Sequence, residues 1–208
     1  MKVKVCGMRN PENIEKIIKL KPDYMGFIFY PKSKRYIGDI EPTMLTNGLF
    51  KKTKKVGVFV NELLRDVVVQ SNTYGLDLVQ LHGNESEEYC YELHCMDVPV
   101  IKAFGIDDDF DFHSTSDFAK YCDYFLFDTK IGNQSGGTGK KFDWGILENY
   151  NTNIPFFLSG GIDVQDLDEI KKIDHPQLYG VDINSKFETE PAIKNVNKVE
   201  EFIKNLKG

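Results

Sequence analysis

Three scarcities narrow the function of this chain before any motif is read. Basic residues do not outnumber acidic ones: the net charge is −6. A sequence-independent nucleic-acid binder needs surplus Lys and Arg to neutralise phosphates, so no nucleic-acid partner is expected. A small anion held by a few local donors stays allowed. Long apolar runs are missing as well. No stretch approaches the roughly 18 residues of a membrane span, and the opening MKVKVCGM lacks the apolar core of a signal peptide. The expectation is a cytoplasmic protein with no membrane partner. Cysteine is sparse, and Cys6, Cys90, Cys95 and Cys122 read as reduced thiols rather than a disulfide framework. Within CYELHC, Cys90 and His94 would share one face of a helix, but zinc usually takes three or four ligands and no companion pair is present. No metal site is expected.

What the chain does have is a strand–helix rhythm. At 41% hydrophobic and 28% charged residues over 208 positions, it can bury a substantial core. Eight short apolar runs stand out as strands: VKVCG, YMGFIFY, KKVGVFV, LDLVQLH, VPVIKAF, YFLFD, IPFFLSG and LYGVDI. Helical stretches lie between them. PENIEKIIKL has Asn10 as a cap and Pro11 at the first helical position; NELLRDVVVQSNTYG ends on Gly75. The series continues with ESEEYCYELHC, DFHSTSDFAKYC, DWGILENY, DVQDLDEIKKI and AIKNVNKVEEFIKNL, and its weakest member is EPTMLTNGLFKK. No linker or low-complexity tract interrupts the series, so one α/β domain over residues 1–208 is expected. Strands separated by helices pair in parallel through right-handed crossovers, and eight such units close most naturally into a (β/α)₈ TIM barrel. The alternative is an open doubly wound sheet. That fold would want a Gly-rich turn after strand one, where CGMRN offers a single glycine.

A barrel gathers its chemistry at the C-terminal ends of its strands. Cys6 ends strand one on the face of Lys2 and Lys4, opposite the valines, which points to a thiol at the mouth of a site as well as to a small core residue. Gln80 and His82 close strand four, Asp128 follows the apolar run YFLF, and Asp182 lies near the end of strand eight. Three polar or glycine-rich turns fall late in the chain. GGTGKKFDW carries Gly137 and Gly139, LSGGID carries Ser159, Gly160 and Gly161, and VDINSKFE carries Asn184, Ser185 and Lys186. Glycines let backbone N–H groups approach an anion, and barrels often hold a phosphate in the loops after strands seven and eight. Each turn alone also reads as an ordinary loop; as a set they favour a phosphate site.

The ordered motifs KVCGMRN, FYPKSKRYI, QLHGNES, FDTK…GGTGKKFDW, LSGGI and GVDINSKFE resemble those of phosphoribosylanthranilate isomerase, nearly end to end. The resemblance implies an Amadori rearrangement in tryptophan biosynthesis, without metal or organic cofactor, on a small-molecule substrate, phosphoribosylanthranilate. It implies Cys6 as general base, Asp128 as general acid and Arg35 of KSKRYI as the holder of the anthranilate carboxylate. The glycine loops would hold the phosphate, with Gln80, His82 and Asp182 shaping the substrate site. KSKRYI also reads as a plain basic loop, and Gln80 with His82 as a satisfied polar layer. Asp143 and Trp144 are expected to start and anchor the sixth helix. The family often has serine pairs followed by glycine after strand eight, where this chain has Asn184-Ser185-Lys186. A monomer and a homodimer are both compatible with the sequence.

Competing readings are a sister phosphate-binding barrel, such as indole-glycerol-phosphate synthase or a sugar-phosphate epimerase, and a non-catalytic ligand-binding barrel. The synthase would want extra N-terminal helices and strand-end lysines, and a metal-using epimerase histidines at several strand ends. A mere binder needs neither Cys6 nor Asp128.

Overall fold

The computed structural model describes residues 1–131, 134–135 and 141–208. Eight parallel strands form its centre: β1 (Lys2–Val5), β2 (Tyr24–Ile28), β3 (Lys54–Phe59), β4 (Leu78–Leu81), β5 (Val100–Ile106), β6 (Tyr124–Ile131), β7 (Phe156–Leu158) and β8 (Leu178–Ile183). Each strand pairs with the next, and β1 pairs with β8, so the sheet closes into a barrel. The (β/α)₈ expectation holds, and the open sheet is excluded by the β1–β8 ladder, in which Lys4 lies opposite Asp182.

Side chains alternate across the strands because successive Cβ atoms point to opposite faces. Val3 and Val5 belong to the large apolar layer between barrel and helices, with Ile14, Ile17, Phe27, Leu81 and Phe202. The inward set forms a second, smaller cluster of Tyr24, Val56, Leu78, Ile101, Leu126 and Phe157, with Tyr124 and Tyr179 against it. Fully burying one such aromatic or aliphatic side chain stabilises the fold by about 1.5–3 kcal/mol.

Helices α1 (Pro11–Ile18), α2 (Pro42–Thr46), α3 (Leu64–Tyr74) and α4 (Glu87–Cys95) follow β1 to β4. Asn10 caps α1 by accepting from the Asn13 N–H at 2.9 Å, and Gly75 ends α3 in the left-handed conformation. The later crossovers differ from expectation. Phe112–Lys120 and Trp144–Asn149 are 3₁₀ helices, and Val164–Asp166 is a 3₁₀ turn running into the four-residue α5 (Leu167–Ile170). Local side chains explain the first of these. Ser114 Oγ donates to the Asp111 carbonyl at 2.7 Å and Thr115 Oγ1 to the Phe112 carbonyl at 2.8 Å. Such three-residue bonds compete with the α-helical pattern. Asp143 does cap the second 3₁₀ helix, accepting from the Gly145 N–H at 2.9 Å, with Trp144 buried behind it.

The last stretch also departs from the sequence reading. Ile193–Lys194, expected in the final helix, pairs antiparallel with Glu188–Glu190 in a small hairpin, and only then does Asn195 cap α6 (Val196–Lys207).

Candidate active site

The C-terminal mouth of the barrel opens into a cavity of about 560 Å³. Its lining includes Cys6, Arg35, Gln80, His82, Asp128, Ser159, Gly160, Gly161, Asp182, Asn184 and Ser185. Six of the eight strands, β1, β2, β4, β6, β7 and β8, and the loops after them thus bring eleven of the expected residues to one place. Gly137 and Gly139 lie outside the described residues.

Cys6 sits just past β1, with its thiol inside the barrel. The room for it comes from Gly26 of β2: a Cβ there would stand 2.8 Å from Cys6 Sγ. A glycine inside the apolar run YMGFIFY was the available signal for this close approach. Gly7 then turns the chain with φ +75°, in the left-handed region. A Cβ at Gly7 would meet Arg35 Cδ at 2.8 Å and Asn184 Oδ1 at 2.9 Å.

Beneath Cys6 lies a buried ion pair. Lys4 Nζ donates to Asp182 Oδ2 at 2.9 Å, and the lysine side chain is wholly inaccessible. Burial opposes the ammonium charge, but Asp182 and the thiol beside it outweigh that and hold Lys4 above its ordinary value. Burial pushes the Cys6 thiol up, while the Lys4 and Lys194 charges pull it down; burial wins.

On the opposite wall, Asp128 ends the apolar run of β6, buried, with Oδ1 accepting from the Thr129 N–H at 2.9 Å. His82 Nε2 faces Asp128 Oδ2 at 3.4 Å, and Gln80 Nε2 lies 2.8 Å from His82 Nδ1. With the Gln80 amide donating to Nδ1, the imidazole proton sits on Nε2, toward Asp128. Lys130 turns away, pairing with Asp107 at 2.7 Å at the surface. Two buried acceptors, Gln80 Oε1 and Asp182 Oδ1, have no hydrogen-bond partner among the described residues.

Arg35 reaches the mouth because the chain after β2 folds back. Ile37 N–H donates to the Ile28 carbonyl at 2.8 Å and Arg35 N–H to Ser33 Oγ at 3.1 Å. Lys186 is exposed, with φ outside the left-handed region, so it occupies no conformation reserved for glycine. In α4, Cys90 faces the core and His94 is exposed, which separates the one pair with metal-like spacing.

The family model described as N-(5'-phosphoribosyl)anthranilate isomerase matches residues 3–205. The chain belongs to the phosphoribosylanthranilate isomerase family, enzymes of tryptophan biosynthesis. It is 44% identical over 208 residues to the N-(5'-phosphoribosyl)anthranilate isomerase of Parabacteroides distasonis, covering 99% of this chain and 93% of that one. Its fold is similar to the crystal structure of the phosphoribosyl anthranilate isomerase of Thermotoga maritima, with a TM-score of 0.88 and 33% identity over 100% of this chain and 99% of that one. It is also similar, at a TM-score of 0.85 and 31% identity with 100% and 99% coverage, to a phosphoribosyl anthranilate isomerase solved in complex with reduced 1-(o-carboxyphenylamino)-1-deoxyribulose 5-phosphate.

Proposed function

We propose that this isomerase converts N-(5-phosphoribosyl)anthranilate into 1-(2-carboxyphenylamino)-1-deoxyribulose 5-phosphate, with Asp128 as general acid and Cys6 as general base. The observation that carries the reading is that a buried thiol and a buried carboxyl, from strands one and six, line a single cavity. Asp128 gives a proton to the ribose ring oxygen as the anilino nitrogen lone pair expels it, opening the sugar to an iminium. The positive iminium acidifies the neighbouring C2–H, and the Cys6 thiolate takes that proton. The resulting enolamine loses its C2 hydroxyl proton and gains one at C1, which yields the ketose. Atoms and electrons balance with nothing entering or leaving, and the positioned acid and base contribute about a hundred- to ten-thousand-fold.

The remaining lining suits the rest of the substrate. Gln80 Oε1 and Asp182 Oδ1 are buried acceptors without a partner among the described residues, the positions where sugar hydroxyls would donate. Ser159, Gly160, Gly161, Asn184 and Ser185 stand at the loops after β7 and β8, where backbone N–H groups can cradle a phosphate. Arg35 would take the anthranilate carboxylate.

The test is the purified chain with a chelator present and phosphoribosylanthranilate as substrate. Substrate fluorescence is expected to disappear far faster than in buffer. Loss at only the buffer rate overturns the assignment.

A further inference from the structure

The arginine that would hold the substrate's carboxylate is already held by a carboxylate of the protein. Glu188 accepts from Arg35 Nε at 2.8 Å and 3.0 Å and from Nη2 at 2.7 Å. A guanidinium has five N–H donors on two usable edges, a side edge of Nε with Nη2 and an end edge of Nη1 with Nη2. Glu188 occupies the side edge. Nη1 makes no hydrogen bond among the described residues, and Arg35 lines the cavity.

Glu188 has no freedom of its own. It sits directly opposite Lys194 in the small hairpin after β8, and Lys194 Nζ donates to its Oε1 at 2.7 Å. The Ala192 N–H adds a bond to the same oxygen at 3.1 Å. Lys194 is completely buried and also donates to Asn184 Oδ1 at 2.6 Å. Asn13 of α1 clamps its backbone from both sides, donating to the Lys194 carbonyl at 2.9 Å and accepting from its N–H at 2.8 Å. The flanking cations hold the Glu188 carboxyl below the usual carboxylate range despite its burial.

We infer that Glu188, locked by Lys194, is a positioning residue that presents the end edge of Arg35 to the aryl carboxylate of the substrate, an inference that rests on the role given to Arg35 above. The charges agree with it. Arg35, Lys194 and Glu188 leave one surplus positive charge in a largely buried setting, which a single bound carboxylate neutralises. A guanidinium freed from its side-edge partner must lose rotamer entropy on every binding event, and here that ordering is already complete.

The test compares two ligands by calorimetry: the reduced product analogue, 1-(2-carboxyphenylamino)-1-deoxyribitol 5-phosphate, and its counterpart lacking the ring carboxylate. In Glu188→Gln, the carboxylated ligand is expected to bind at least about tenfold more weakly and the counterpart within about twofold of wild type. Glu188→Gln leaves two buried cations with a weaker partner, so Glu188→Gln/Lys194→Met, which removes one charge of each sign, is measured alongside. It is expected to show the same selective loss. Equal losses for both ligands, in either folded variant, overturn the positioning role while the isomerase reading stands. A wild-type chain that binds neither ligand overturns the isomerase reading and this inference with it.

Discussion

The two ends of the barrel interior are built from the same ring of strands, yet they share almost no chemistry. The N-terminal end is a plug of Tyr24, Tyr124, Phe157 and Tyr179 over Val56, Leu78, Ile101 and Leu126. Its rings meet edge-on or tilted at centroid distances of 4.9 to 6.5 Å, and the Tyr24 and Tyr179 hydroxyls lie 2.9 Å apart. Two residues further along β4 and β6, the inward positions are Gln80 and Asp128, and β1 and β8 contribute Lys4, Cys6 and Asp182. The plug satisfies its own needs. The mouth does not: among the described residues Gln80 Oε1 and Asp182 Oδ1 are left without hydrogen-bond partners. The difference teaches where this fold stores stability and where it spends it, since a buried unpaired acceptor costs about 1–3 kcal/mol.

The sharpest way to break that comparison is at the mouth. Cys6→Ala and Asp128→Ala are each expected to lower turnover at least about a hundredfold, the lower bound for a positioned acid or base. Binding of the reduced product analogue should persist, and thermal unfolding should shift little. Near-normal turnover in either variant would remove that residue from the chemistry. The converse cut is at the plug. Phe157 is fully buried and packs against Tyr24, Tyr124 and Tyr179. Phe157→Ala should cost about 3–5 kcal/mol of stability by denaturant titration, with turnover per folded molecule retained. A stable but inactive Phe157→Ala would show that the two ends are coupled rather than separate.

The same contrast explains how much of the molecule was legible in its sequence. All eight strands could be read because each is a short apolar run bounded by turn residues, and strand-end polar residues then fell at the mouth by geometry alone. Helical propensity misled in the fifth and sixth crossovers, where Ser114, Thr115 and Asp143 bond locally and tighten the turns. The buried charges were hidden for a different reason. Lys4 looks like an exposed strand lysine until ring closure brings Asp182 beside it, 178 residues away. Glu188 and Arg35 are 153 residues apart, and Lys194 was absorbed into an apparent helix. Pairings that depend on closing a barrel leave no local trace.

The smallest effect sharpens the electrostatics of the mouth. A carboxylic acid ordinarily gives up its proton before a thiol does, and burial of Cys6 widens that gap. The proposed mechanism needs its acid protonated and its thiol ionised, the reverse of that order, so its working form is a minority of the enzyme. Under that reverse assignment kcat/KM forms a plateau between the two ionisations, and the Cys6 ionisation sets the descending alkaline limb. Lys4 pulls the thiol down, so it raises the minority fraction. Removing that charge in Lys4→Met should push the thiol further up, move the alkaline limb to higher pH and lower the plateau. The variant also leaves Asp182 without its partner, at a cost of about 3–5 kcal/mol, so the profile is recorded at a temperature where circular dichroism shows it folded. An alkaline limb at the wild-type position in folded Lys4→Met would mean that the thiol does not feel Lys4, and that the mouth's buried ion pair serves packing alone, as the plug does.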